Sequence, residues 1–443
     1  MLTLVGLLII LTIVVLLIWG KASPIVAMVM VPLIGALIAG FGINDIQTFF
    51  EEGIIKVLPV ATMFIFAILF FGILQDTGFF EPVIKALIKL TKGNVVTVAM
   101  GTALIGIIAH LDGAGATTFL LTVPALLPLY KKLHMSPYLL LLLIGTSAGL
   151  TNMIPWAGPT GRAASVLNMD PSELWVPLIP IQLIGVVLVL GMAFFLGKRE
   201  EKRIRVKIAA NEVVAAVQLE GADWDRAIQS ISETGDASLK RYHLIWVNLI
   251  LFVCVVVLLV LNVIPASYMF MIGLSLALLI NFPNVNLQME RIKAHAPSAL
   301  MMAAVIFSAG SFLGILEGTG MLKAIAVDSI HILPAFLLPF LHIIVGMLGV
   351  PLDMLTSTDA YYYALLPIVE SITSEVGVSG TSAAYAMMIG NIIGTFVSPL
   401  APAVWLAVGL AGVDMGKHIR YSFFWMWGFS IILLFVAMLI GII

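Results

Sequence analysis

The sequence predicts an all-α polytopic membrane protein made of two inverted-topology repeats, each with a re-entrant hairpin and a broken transmembrane helix. Three observations carry that expectation. Of the 443 residues, 61% are apolar and only 10% are charged, against roughly 45–50% and 25% in soluble domains, so too few polar side chains remain to cover a water-soluble surface. Apolar runs long enough for a hydrocarbon core of about 30 Å recur along the whole chain. A motif also returns half-way along: Phe71-Gly72-Ile73-Leu74-Gln75-Asp76-Thr77-Gly78 is matched by Leu313-Gly314-Ile315-Leu316-Glu317-Gly318-Thr319-Gly320.

The runs lie at 2–19, 24–43, 58–75, 95–111, 137–151, 175–197, 243–263, 265–282, 298–316, 332–350, 377–393 and 421–443. Each is expected to be a helix, because backbone amides in lipid must bond within their own segment and no alternating barrel pattern is present. The first run has no basic flank and no A-x-A-like site before Lys21, so it is expected to be retained as a span. Between 198 and 241 the composition changes: 17 of the chain's 46 charged residues fall there, nine of them basic. The expected organisation is therefore a first transmembrane repeat at 1–197, a charged cytoplasmic loop at 198–241 and a second repeat at 242–443. The excess of Lys and Arg in that loop, with Arg291 and Lys293 two spans later, sets the orientation. With Lys21 also cytoplasmic, the two halves run in opposite senses.

Other landmarks keep nearly the same offset as the repeated motif, which is 242 residues. Leu126-Leu127-Pro128 corresponds to Leu365-Leu366-Pro367, and Pro159 to Pro402. Inverted duplication is a common construction of secondary transporters, with the substrate site where broken helices meet.

Polar, Gly- and Pro-rich stretches interrupt the apolar pattern at matching places: 110–118 and 151–162 in the first half, 351–359 and 390–402 in the second. Irregular backbone at membrane depth is tolerated only where protein or a cavity surrounds it, so these breaks are the candidate substrate site. Its residues are Gly113, Thr117, Thr118, Asn152, Pro155, Gly158, Pro159, Thr160 and Arg162 from the first half, with Thr356, Ser357, Thr358, Ser398, Pro399 and Pro402 from the second. Gly113 permits a tight turn and the threonines can cap a helix. Pro155 and Pro159 suit a first helical turn, where no amide is lost. A helix beginning near Thr160 would point free amides at an anion. Arg162 is the only arginine before the charged loop, and its planar fork suits a carboxylate. Asp112, Asp359 and Asp353 are the candidates for metal contact or proton coupling, since intramembrane carboxylates are costly unless they do such work. The short apolar segments at 119–130 and 360–369 are expected to be re-entrant arms. His110 and His342 are expected to pack, and Asp76 and Glu317 to end helices or sit at the interface.

No hydrolase, nucleotide or metalloprotease motif is present. The near-cancelling charges, 22 basic against 24 acidic, argue against a nucleic-acid partner. An enzyme is therefore not expected. The single cysteine, Cys254, rules out an intrachain disulfide.

The run Ile154-Pro155-Trp156-Ala157-Gly158-Pro159-Thr160-Gly161-Arg162-Ala163-Ala164-Ser165, continuing through Met169-Asp170-Pro171, closely resembles the signature of the metal-citrate:proton symporter family (CitMHS) in the ion transporter superfamily. Leu111-Asp112-Gly113, Asp359-Ala360-Tyr361-Tyr362-Tyr363 and Ser398-Pro399-Leu400 also resemble family positions, in the same order. The resemblance implies uptake of citrate as a complex with a divalent cation such as Mg or Ca, coupled to protons, in a bacterial plasma membrane. The metal would be co-transported cargo, with no intrinsic cofactor, and the protein a homodimer. The alternative is a proton- or sodium-coupled transporter of a free di- or tricarboxylate or a gluconate-like anion. Three places depart from the family pattern: Ala114, where an acidic residue is common, Ser357-Thr358, where Pro-Asn is common, and Gly394-Thr395-Phe396.

Overall fold

The computed structural model describes residues 1–19, 21–91, 94–209, 229 and 236–443. Among them the chain is helical, with no strand. The first half contains α1 (Leu2–Ile18), α2 (Pro24–Ile38), α3 (Ile43–Asp76), α4 (Glu81–Leu90), α5 (Val95–Ala109), α6 (Gly115–Lys132), α7 (Pro137–Thr151), α8 (Gly158–Leu167) and α9 (Ile179–Ala209). The second contains α10 (Ile245–Val260), α11 (Ala266–Asn281), α12 (Val285–Gly318), α13 (Met321–Ile332), α14 (Leu341–Met347), α15 (Gly349–Leu355), α16 (Leu366–Ser374), α17 (Gly380–Asn391), α18 (Pro402–Ala411) and α19 (Met415–Leu439).

Among the described residues, six helical stretches are individually long and apolar enough to cross a membrane, including α3, α9, α12 and α19. Leu338–Met347 and Gly349–Leu355 form a further stretch, bent by 65°. Shorter apolar helices, among them α1, α2, α7, α11 and α18, complete the bundle. Two runs are longer than hydropathy suggests: 58–75 and 298–316 are only the apolar ends of α3 and α12, which have 34 residues each. Their polar starts are helical because Asp45 and Asn284 supply acceptors for free amides at the two N-termini. The arms at 119–130 and 360–369 also extend further, the first as the 18 residues of α6, the second as a helical stretch from Thr358 to Ser374 that includes a π-turn at Tyr361–Leu365. The charged segment begins as further turns of α9, up to Ala209. Much of the rest, 210–228 and 230–235, lies outside the described residues.

The element order of the first half returns in the second: α1 to α3 correspond to α10 to α12, α7 to α17, α8 to α18 and α9 to α19. The most extensive packing is between the two equivalent long helices, α3 and α12. Phe49 lies against Gly318, Gly53 against Gly314, Val57 against Gly310 and Gly72 against His295, so the two run antiparallel. Glycines let the backbones touch: a Cβ on Gly53 would stand 2.1 Å from the Gly310 carbonyl oxygen, and one on Gly314 would stand 2.2 Å from that of Phe49. Close approach through small residues is how helices associate where lipid removes the hydrophobic drive. Ion pairs pin both ends. Lys56 meets Glu317 at one; at the other Asp76 accepts from His295 Nε2 at 2.8 Å and lies 3.8 Å from Arg291 Nη1.

Gly53→Val is therefore expected to force α3 and α12 apart and lower stability by at least about 1–3 kcal/mol, read as a drop in the melting temperature of the purified protein. Gly191→Ala, where the added carbon meets nothing within 4 Å, should leave that temperature unchanged or slightly raised.

Candidate functional site

The first break separates α5 from α6. His110–Asp112 tighten the end of α5 into a 3-10 turn, and Gly113 follows with φ at +74°, a left-handed conformation that favours glycine. Asp112 then caps α6: Oδ1 accepts from the Ala114 amide at 2.9 Å, and Oδ2 accepts from the Thr117 hydroxyl. Behind it the fully buried His110 ring is held at both nitrogens, Nδ1 on Thr118 Oγ1 and Nε2 on Asn152 Oδ1, each at 2.7 Å. Asn152 stands where α7 ends and the second break begins. Across that break, Trp156 Nε1 donates to the Leu111 carbonyl at 2.8 Å and Thr160 Oγ1 to the Asn152 carbonyl at 3.2 Å. Pro155 is buried within the break, and Pro159 and Thr160 in the first turn of α8. The two breaks of this half are thus bonded to each other, which satisfies backbone groups that lipid could not.

The second half repeats the arrangement with other side chains. Asp353 on α15 is fully buried. Its Oδ1 accepts from Asn391 Nδ2 and from Thr358 Oγ1, each at 3.1 Å, and its carbonyl accepts from Ser398 Oγ at 2.9 Å. Ser357 caps the following turn by accepting from the Ala360 amide at 3.2 Å, and Thr356 Oγ1 donates to the Leu352 carbonyl at 2.9 Å. The Pro399 carbonyl accepts from Trp405 Nε1 at 2.8 Å. Pro402 starts α18 and is exposed.

At the breaks the two halves also meet through an ion pair. Arg162 Nε on α8 donates to Asp359 Oδ1 at 2.7 Å, with side chains 14% and 18% exposed. Arg162 also folds back over the start of its own helix, since a Cβ on Gly158 would lie 2.5 Å from Nη1. Gly158 lines a cavity of about 340 Å³ together with Asp112, Gly113, Thr117 and Trp156. The opposite wall comes from the long helices through Gly72, Gln75, His295 and Ser298. An adjoining space of about 220 Å³ shares Gln75, Asp112 and Thr117 and extends to Asp76, Asp236 and Lys240.

Of the sequence-predicted residues, Asp112, Gly113, Thr117 and Gly158 therefore line the main cavity, with Arg162 beside it. Thr358 and Ser398 form a separate cluster around the buried Asp353, and Thr118 and Asn152 bind His110. Pro402 does not line the cavity. His295 and Ser298 sit in a long run with no break to mark them, so nothing in the sequence distinguished them from packing residues. Asn391 was visible as part of a break, but its bond to Asp353 was not.

Chemically, the cavity offers an anion the start of α8 at Gly158 and a guanidinium a short step away, and it offers a cation the Asp112 carboxylate.

The family profile described as Citrate transporter (CitMHS) matches residues 8–390. A citrate transporter of Bacillus subtilis (strain 168) is 37% identical over 424 residues, covering 96% of this chain and 95% of that one. A Mg(2+)/citrate complex secondary transporter of the same organism is 36% identical over 446 residues, covering 100% and 99%. Among solved structures, the Alcanivorax borkumensis YdaH transporter superposes with a TM-score of 0.59 over 90% of this chain and 88% of that one. Its identity is 15%, so this likeness speaks for the fold alone.

The pairing of Arg162 with Asp359 is open to a direct check. Removing one member of a buried pair strands the other charge and costs about 3–5 kcal/mol. Arg162→Ala and Asp359→Ala should each lower the melting temperature, and the double variant should melt above either single one.

Proposed function

The chain belongs to the citrate transporter family, and from that premise we propose that it takes up citrate as a complex with a divalent cation by proton symport. The protein is a transporter, not an enzyme. The observation that carries the finer reading is the Arg162–Asp359 pair, with the guanidinium lying over Gly158 at the cavity wall. A free tricarboxylate would bring about three negative charges into a medium of low dielectric. A divalent ion reduces the complex to about −1, a charge that one guanidinium and the amides of α8 can offset.

In this reading the cargo's carboxylates face Arg162 and the start of α8 at Gly158, Pro159 and Thr160. The metal is bound mainly by citrate oxygens, and Asp112 at the cavity wall is the protein carboxylate open to it. Asp359 serves as counter-ion, holding Arg162 in place between transport cycles. Thr356, Ser357, Thr358, Ser398 and Pro399 shape the second half's side of the site. The excess of basic residues in 198–241 supports a cytoplasmic location for that segment in a bacterial plasma membrane. The antiparallel course of α3 and α12 supports inverted repeats, and family analogy supports a homodimer.

The test is uptake of labelled citrate into proteoliposomes with Mg, Ca or Zn present, against uptake with all divalent ions chelated. Uptake is expected to depend on the metal and on an imposed pH gradient. Undiminished transport after chelation would replace the complex with a free organic anion. Arg162→Ala should abolish accumulation in a folded protein. Arg162→Lys keeps the charge but loses the fork, and should raise KM for citrate about tenfold, the cost of one charge-assisted hydrogen bond.

A further inference from the structure

The two halves build the same polar node at their breaks and load it with opposite chemistry. In each, a side chain at the end of the helix before the break joins a threonine just beyond it to an asparagine at the end of α7 or α17. The first half uses His110, Thr118 and Asn152; the second uses Asp353, Thr358 and Asn391. The first node is complete, because both ring nitrogens of His110 have partners and Asn152 accepts through Oδ1.

The second node is not. Asn391 donates Nδ2 to Asp353 Oδ1 at 3.1 Å and to the Gly349 carbonyl at 3.3 Å. That fixes the orientation of its amide, since the reverse would set an oxygen against two acceptors. Two acceptor atoms of this node are among the buried polar atoms without a hydrogen-bond partner: Asp353 Oδ2 and Asn391 Oδ1. Both residues are fully buried. Native structures seldom leave such atoms unpaired without a functional reason.

Charge points the same way. Arg162 and Asp359 neutralise each other, and Asp112 is met by an amide and a hydroxyl beside the cavity. Asp353 has Asn391 and Thr358 as neutral partners. The other ionisable groups in reach of it are Arg162, Asp359, Tyr361 and Tyr362. On the elements packed around it stand His418 of α19, whose Nε2 lies 3.4 Å from the Phe396 carbonyl, and His342 of α14. Among the described residues, none makes a direct ion pair with Asp353.

We infer that Asp353 carries the coupling proton, an inference that rests on the symport reading above. A proton taken from water on the loading side forms an O–H bond at Oδ2, turning the carboxylate into a neutral acid with the donor this node lacks. On the releasing side that O–H bond breaks, the electron pair stays on Oδ2 and the proton leaves to water. Thr358 and Asn391, held to Oδ1, link the protonation state to the hairpin and to the break after α17.

The experiment uses proteoliposomes with wild type, Asp353→Asn and Asp353→Glu, given labelled citrate and Mg. In folded Asp353→Asn, accumulation driven by a pH gradient should be lost while exchange of internal for external Mg-citrate persists. Asp353→Glu should restore accumulation with a displaced pH profile. Gradient-driven accumulation by Asp353→Asn at the wild-type level would overturn the assignment, as would loss of both accumulation and exchange in a folded variant. Should Asp353→Asn fail to fold, an unshifted pH profile in Asp353→Glu overturns it. If wild type itself ignores the pH gradient, the symport reading fails instead.

Discussion

Everything distinctive about this protein follows from one constraint: a helix broken inside a low-dielectric bundle must find partners for its exposed amides and carbonyls within the protein. The chain meets it by joining breaks to each other. Trp156 of one break donates to Leu111 of the other, and in the second half Ser398 donates to the Asp353 carbonyl. The sequence distance between such partners is more than forty residues, so each bond also fixes the hairpin against the broken span. A site made this way is rigid in its local geometry without being a continuous helix. It can therefore present backbone amides and side chains to a polar cargo in surroundings that would otherwise reject it.

The long antiparallel helices supply the frame for those breaks. Glycine contacts between α3 and α12 remove any room for side chains to slide, and ion pairs hold both ends. Phe64 of α3 is wedged against Gly161 of α8, where a Cβ would come within 1.9 Å of the ring, and Phe71 stacks on Trp156 with ring centres 4.9 Å apart. The wall between frame and site is therefore aromatic and closely fitted. Such a surface lowers the polarity around Arg162 and strengthens the charge interactions there.

How much of this was legible in the sequence depends on the range of the interaction. The breaks were plain, because Gly113, Pro155, Pro159 and the polar residues around them cannot continue an apolar helix, and the repeated Gly-Ile-Leu motif marked the equivalent long helices. Helix starts were less plain: hydropathy sees α3 only from about residue 58, whereas the fold begins it at Ile43 with Asp45 on the free amides. Pairings between the halves left no trace. Arg162 and Asp359 are 197 residues apart, and a charge inside an apolar chain announces that it needs a partner without saying which. His295 and Ser298 illustrate the opposite failure, since they reach the cavity from an unbroken helix whose pattern is that of ordinary packing.

On the proposal above, the two similar nodes at the breaks let one fold handle a proton and an anion at separate places. One is a closed base-containing network at His110 and the other an open acid-containing one at Asp353. The closed node stiffens the half that presents α8 and the cavity wall. The open node lies in the half that supplies Asp359, the counter-ion of Arg162. Any change of charge at Asp353 acts on Arg162 and Asp359 through a medium of low dielectric, and on the same hairpin through Thr358. In the proposed scheme, neutralising Asp353 removes one negative charge from the neighbourhood of an anionic cargo, which favours loading. Restoring that charge opposes retention, so in the proposed scheme one group suffices to link proton movement to the binding and release of a carboxylate.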